Sequence, residues 1–151
     1  MKNPTTQIIP NFMAYIAGPY RAETAWGIDQ NIQAARRVSA SLWEHGIANF
    51  CPHANTAHFD GIAPDEVFLE GGLIMLRRCD AVVLVGKWWE SAGTRAEIEE
   101  AKRLGIPVFL SAFCLVRVKN RGEEGFQERL KDAAEQQAQT DQLRLFERDA
   151  K

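Results

Sequence analysis

Apolar residues in this chain come as short continuous runs, separated by stretches with the spacing of one helix face. Residues 12–17, Phe-Met-Ala-Tyr-Ile-Ala, closed by Gly18-Pro19, predict a first buried strand. Between residues 28 and 45, Ile32, Ala35, Val38 and Leu42 share one helical face, and Gly46 supplies the stop. Residues 47–51 predict a second strand ended by Pro52, and residues 52–64 form a loop rich in His, Asn, Thr and Asp. Residues 65–78 predict a second helix, entered from Pro64 with two acids in its first turn and weakened by Gly71-Gly72. Residues 80–86 give the third strand. Residues 94–104 give the third helix, with Ile98 and Ala101 inward and Gly105 beyond its end. Residues 106–110 give a fourth strand, and residues 113–118 offer a fifth. From residue 122 the chain is polar and helix-prone. Phe126, Leu130, Ala133, Leu143 and Phe146 are sparse apolar points, which predicts a solvated or partner-facing helix.

Strands alternating with helices over short links predict an α/β fold: a parallel sheet of four to five strands with helices on both faces. Continuous apolar strands fit burial on both sides. Such sheets bind ligands at the carboxyl ends of their strands, where the strand order reverses. Between the first and third strands, those ends are Gly18-Pro-Tyr-Arg21 and Lys87-Trp-Trp-Glu-Ser-Ala-Gly93. The two most distinctive loops therefore converge on one predicted site.

The 151 residues suit one domain: residues 11–118 as the body, residues 1–10 as a polar lead-in and residues 119–151 as a polar helical extension. With 18 basic and 20 acidic residues the net charge is −2, which gives no electrostatic case for nucleic acid or an anionic membrane surface. No targeting segment is expected. The longest apolar stretch, residues 106–116, falls short of the roughly 20 residues a spanning helix needs. Three scattered cysteines, Cys51, Cys79 and Cys114, argue against a disulfide framework and for a reducing, cytoplasmic setting.

The candidate chemistry centres on Ser91-Ala-Gly-Thr-Arg-Ala-Glu97. A strand delivers a small, hydroxyl-bearing turn to a helix start, whose unpaired N–H groups and partial positive charge hold anions. A phosphate fits the turn at Ser91, Gly93 and Thr94, and Glu97 is expected to stay ionised beside it. Thr94-x-x-Glu97 is equally a capping box, in which Glu97 bonds back to the amide of the cap. In Tyr15-Ile-Ala-Gly-Pro-Tyr-Arg21, Gly18 and Pro19 suit a tight turn that admits a ligand close to the backbone. Arg21 offers a planar fork for phosphate, and Tyr15 a hydroxyl to position a carboxylate. A core Tyr and a solvated Arg would serve the same pattern. Trp88 and Trp89 provide a surface for a nucleobase, or core and interface packing for at least one of them. Cys51-Pro-His53-Ala-Asn55-Thr-Ala-His58 matches no closed zinc pattern. His53 and Asn55 are instead candidates for hydrogen bonds to a base or sugar, or for loop structure. No metal and no cofactor is called for.

Taken in order, Tyr15 to Arg21, Cys79-Asp-Ala-Val-Val-Leu-Val85, Ser91 to Glu97 and Ala101 resemble the nucleoside 2-deoxyribosyltransferase superfamily, in its small bacterial and phage branch. The resemblance covers residues 12–110. It implies a flavodoxin-like (Rossmann-like) sheet, residues 11–118 as the deoxyribosyltransferase-like domain, and cleavage of the N-glycosidic bond of a nucleoside or nucleotide. In that family a Glu matching Glu97 attacks the anomeric carbon, a Tyr matching Tyr15 orients it, and water or a second base completes the reaction. Free-nucleoside transferases carry an Asp where this chain has Ser91. The branch hydrolysing deoxynucleoside 5′-monophosphates has Ser-x-Gly and an Arg after the first strand, as in Ser91-Ala-Gly93 and Arg21. The resemblance therefore points to a 5′-monophosphate N-glycosidase.

One departure stands out. The family places an Asp eight residues before the position of Asp80, to protonate the leaving base, and here Gly72 occupies it. Glu70, Glu90 and Asp60 are the replacement candidates. The gap keeps two alternatives open: a base-exchanging 2-deoxyribosyltransferase, and a non-catalytic nucleotide-binding or sensing module. A lysine-decarboxylase-like phosphoribohydrolase also uses Gly-Thr-x-x-Glu, but its preceding Pro-Gly-Gly is missing here. The resemblance also implies a homodimer or higher homo-oligomer, in which a neighbouring subunit helps complete each site.

Overall fold

The computed structural model describes residues 7–122 and 124–149; of the lead-in, residues 1–6 lie outside them. Four parallel strands, β1 (Ala14–Ala17), β2 (Asn49–Phe50), β3 (Ala81–Leu84) and β4 (Val108–Phe109), form one sheet in the order β2-β1-β3-β4. The helices are α1 (Ala25–Glu44), α2 (Pro52–Asn55), α3 (Asp65–Leu76), α4 (Ala92–Arg103), α5 (Ala112–Lys119) and α6 (Phe126–Asp149). This is the flavodoxin-like arrangement expected from the strand and helix pattern.

The two faces follow from the strand period of two. Ala14 and Ile16 of β1, with Ala81 and Val83 of β3, pack with Ala35 and Leu42 of α1 and Leu115 and Val116 of α5. Tyr15 and Ala17, with Val82 and Leu84, pack with Leu76 of α3 and Ile98 and Ala101 of α4 on the other face. Every residue of β1 and β3 is buried, which is why both read as unbroken apolar runs. β1 is hydrogen-bonded to both β2 and β3, in register Ala14 with Asn49 and with Ala81. The chain leaves β1 toward one edge and β3 toward the other, so the crevice opens at their carboxyl ends.

Three elements depart from the sequence reading. Residues 113–118 form most of α5 and add no fifth strand. A short apolar run does not distinguish a strand from a buried helix. Here Ser111 decides, because its side chain accepts from the Cys114 amide as an N-cap, while Arg117 and Lys119 occupy the last turn. The long polar helix is not purely solvated. Phe126 and Leu130 are buried in the core, and Phe126 meets Phe12 edge-on at 5.1 Å. Farther along α6, the Gln137 side chain accepts from the Val108 amide of the edge strand β4 at 3.2 Å. The loop after β2 begins as the short helix α2, with Pro52 at its first position.

Helix boundaries obey local chemistry. α1 starts at Ala25, before the expected residue 28, because the Thr24 side chain accepts from the Gly27 amide. It stops where Gly46 adopts φ 68°, a left-handed conformation that glycine takes without Cβ strain.

Candidate active site

α4 starts at Ala92, two residues earlier than the sequence pattern predicts. Ser91 is its N-cap: its Oγ accepts from the Thr94 amide at 3.2 Å and from Thr94 Oγ1 at 2.9 Å. The capping box centred on Thr94 is thereby overturned. Thr94 lies inside the first turn, buried, and Glu97 lies in the second turn, out of reach of a cap amide. Ala92 and Gly93, the first two helical residues, present amides for which the helix has no acceptor of its own.

Glu97 is engaged from the sheet instead. Tyr15 Oη donates to Glu97 Oε1 at 2.6 Å. Tyr15 is fully buried in β1. Burial and the neighbouring carboxylate push its phenol pKa far up, so it stays a donor. Burial likewise raises Glu97 from its ordinary 4.5 to about 7, against the opposing pull of the Tyr15 hydrogen bond. Glu97, expected to stay ionised beside a bound phosphate, thus titrates near neutrality in the crevice. The wall of the crevice withholds water from the carboxylate, and one hydrogen bond does not offset that loss.

The pair lies in a cavity of about 930 Å³ at the carboxyl ends of β1 and β3. Nine of the eleven sequence-predicted site residues line it: Tyr15, Gly18, Pro19, Arg21, His53, Ser91, Gly93, Thr94 and Glu97. At Gly18 the ends of β1 and β3 close together, and a Cβ there would lie 2.7 Å from the Val85 carbonyl oxygen. His53 holds this turn, its Nε2 lying 3.1 Å from the carbonyl oxygens of both Gly18 and Pro19. Burial lowers the His53 pKa and so favours the neutral ring; facing two carbonyl acceptors, Nε2 is the nitrogen that carries the proton.

Trp88 and Asn55 do not line the cavity. A single 3-10 turn, Trp88–Glu90, directs Trp88 onto the core cluster that contains Tyr15, while Trp89 is exposed. Asn55, at the end of α2, faces solvent.

Arg21 reaches the cavity with its fork already occupied. Nε and Nη2 donate to the Asp65 carboxylate, and Nη1 donates to Asp60 at 2.5 Å. Tyr20 Oη also donates to Asp60, at 3.0 Å. Loop 56–64 is thus tied to the turn after β1 across the cavity rim.

Several lining residues were not singled out from the sequence: Phe59, Asp65, Glu66, Phe68, Leu69 and Lys87. A signal existed for four positions of α3, because Asp65, Phe68, Leu69 and Gly72 follow the i, i+3, i+4, i+7 spacing of one helix face. Of the replacement acids, Asp60 and Glu90 line the cavity and Glu70 does not. Asp80 is structural, accepting from the Met13 amide at 2.8 Å. Among the described residues no group of three His, Cys, Asp or Glu side chains converges to hold a metal, and no helix is long and apolar enough to cross a membrane.

No curated protein matches the chain. Among solved structures, a 2-deoxyribosyltransferase from the psychrotolerant bacterium Bacillus psychrosaccharolyticus is similar at 22% identity and a TM-score of 0.47, covering 64% of this chain and 69% of that one. A family model spans residues 12–111, from the first strand through β4 to the cap of α5. By that match the chain belongs to the family described as a domain of unknown function, DUF7768.

Proposed function

We propose that this protein cleaves the N-glycosidic bond of a (deoxy)nucleoside 5′-monophosphate, with Glu97 as nucleophile. The observation that carries the reading is the Tyr15–Glu97 hydrogen bond inside the crevice, on the helix whose start faces the same cavity. Tyr15 engages Oε1 and leaves Oε2 for attack on the anomeric carbon. As the C1′–Oε2 bond forms, the C1′–N bond breaks and its electron pair departs with the base, which takes up a proton. The resulting glycosyl ester of Glu97 is opened by water, or by a second base. The amides of Ala92 and Gly93 and the hydroxyl of Ser91 suit the 5′-phosphate, because a helix start offers donors and partial positive charge. Phe59 and Phe68 offer apolar ring surface to the base.

The occupied fork of Arg21 favours a second reading, a 2-deoxyribosyltransferase acting on nucleosides without phosphate. Asp60, Asp65, Glu66 and Glu90 outnumber Arg21 and Lys87 on the lining, so the rim attracts anions poorly.

Incubation with nucleoside 5′-monophosphates and with free nucleosides, each with and without a second free base, followed by chromatography for released and exchanged base, tests both readings. Release from monophosphates that is lost in Glu97→Ala supports the first. Base exchange confined to unphosphorylated nucleosides supports the second. Absence of both base release and base exchange in the two sets, or full activity of Glu97→Ala, overturns both.

A further inference from the structure

Gly72 lies in the middle of α3, buried, where glycine weakens a helix relative to alanine. A Cβ at this position would lie 2.9 Å from Tyr15 Oη and 3.5 Å from Glu97 Oε1. The first distance is below any normal carbon–oxygen contact. The Tyr15 ring has little room to withdraw: it is fully buried in the central strand and stacks on Phe50 at 6.2 Å and 24°. Its neighbour Gly71 is different, since a Cβ there would meet nothing within 4 Å.

We propose that Gly72 is a positioning residue of the candidate site, whose missing side chain lets the Tyr15 hydroxyl reach Glu97. Calling it part of a catalytic site rests on the glycosidase reading above; the packing relationship does not. A methyl group at 72 drives the hydroxyl off the carboxylate and leaves the half-buried Glu97 with one donor fewer. The same geometry has a chemical consequence. A side chain at 72 cannot enter without displacing Tyr15, so under the glycosidase reading the proton for the leaving base comes from another carboxyl of the cavity lining, among Asp60, Asp65, Glu66 and Glu90.

The test needs no substrate, so its failure is separable from failure of the glycosidase reading. The Glu97 carboxyl is titrated by carbon-13 NMR in the wild type, Gly72→Ala, Tyr15→Phe and the control Gly71→Ala. The expected result is an upward shift of about one pH unit in Gly72→Ala, matching Tyr15→Phe, as befits loss of one hydrogen bond to a charged group. Gly71→Ala leaves the midpoint where it is in the wild type. A Gly72→Ala midpoint equal to the wild-type one overturns the proposal. If Gly72→Ala does not fold, the double variant with Tyr15→Phe decides. Recovery of folding once the hydroxyl is removed supports the clash, and no recovery overturns it.

Discussion

Tyr15 Oη donates a 2.6 Å hydrogen bond to Glu97 Oε1, joining the central strand to the second turn of α4 across 82 positions of sequence. The bond lowers the Glu97 pKa while burial raises it, and burial prevails. Under the glycosidase reading the carboxylate form is the nucleophile, so kcat/KM is expected to rise with pH along a limb centred near 7. Tyr15→Phe removes the opposing pull, moves that limb to higher pH, and lowers kcat more than it changes KM. A pH–rate profile of the two proteins checks this; a limb centred near 4.5 in the wild type would refute it.

The same shift makes stability depend on pH. Glu97 holds its proton more tightly in the folded chain, at about 7, than at its ordinary 4.5. The resulting stabilisation is full below pH 4.5 and is lost as pH rises through 7. Glu97→Gln keeps an acceptor for Tyr15 without a titrating group. Its unfolding free energy is expected to gain on the wild type as pH rises, by an amount on the order of 3 kcal/mol above pH 8. Denaturant titrations at pH 5 and pH 8 measure the difference. A constant gap between the two proteins would count against the buried carboxylate.

Asp65 and Asp60 occupy the Arg21 fork at an exposed rim, so their pairing contributes little to stability, below about 1 kcal/mol. Its effect on ligand choice is expected to be larger. Asp65→Ala frees two of the three donor nitrogens of Arg21 and removes a negative charge. Affinity for a nucleoside 5′-monophosphate should rise about tenfold, while that for the unphosphorylated nucleoside stays the same. Calorimetric titration with both ligands distinguishes this from a purely structural clasp, which would change neither affinity.

Gly18 stands where β1 and β3 converge, and a Cβ there would press on Val85, including its carbonyl oxygen at 2.7 Å. Gly18 and Val85 each follow directly on a fully buried strand, β1 and β3, and the paired strands cannot part locally. Gly18→Ala is expected to destabilise the fold by roughly 1–3 kcal/mol, read as a lowered denaturation midpoint with an unchanged slope.

At the start of α4, Ser91→Ala leaves the Thr94 amide without its cap and should cost about 1 kcal/mol. Because Ser91 also lines the cavity, monophosphate affinity should fall in the same variant. Thermal denaturation with and without ligand separates the two losses.

The order of strands and helices, and the convergence of the loops after β1 and β3, were legible in the sequence by itself. Apolar runs and periodicity report burial directly, and the sheet topology then brings two separated loops to one end. The same reasoning singled out Tyr15, Gly18, Arg21, Ser91 and Glu97. Tertiary structure decided what these residues do to one another. Whether Glu97 serves as a cap or faces a phenol depends on where α4 starts, and Ser91 sets that start from outside the expected helix. The charge state of Glu97 depends on how much water the crevice admits, which spacing along a chain does not encode. Arg21 looked free because Asp60 and Asp65, its partners, lie 39 and 44 residues away. Residues 113–118 became a helix because a Ser cap outweighs an ambiguous apolar run. Local patterns carry burial and periodicity; long-range pairing, solvent exclusion and the approach of α3 to Tyr15 exist only once the chain is folded.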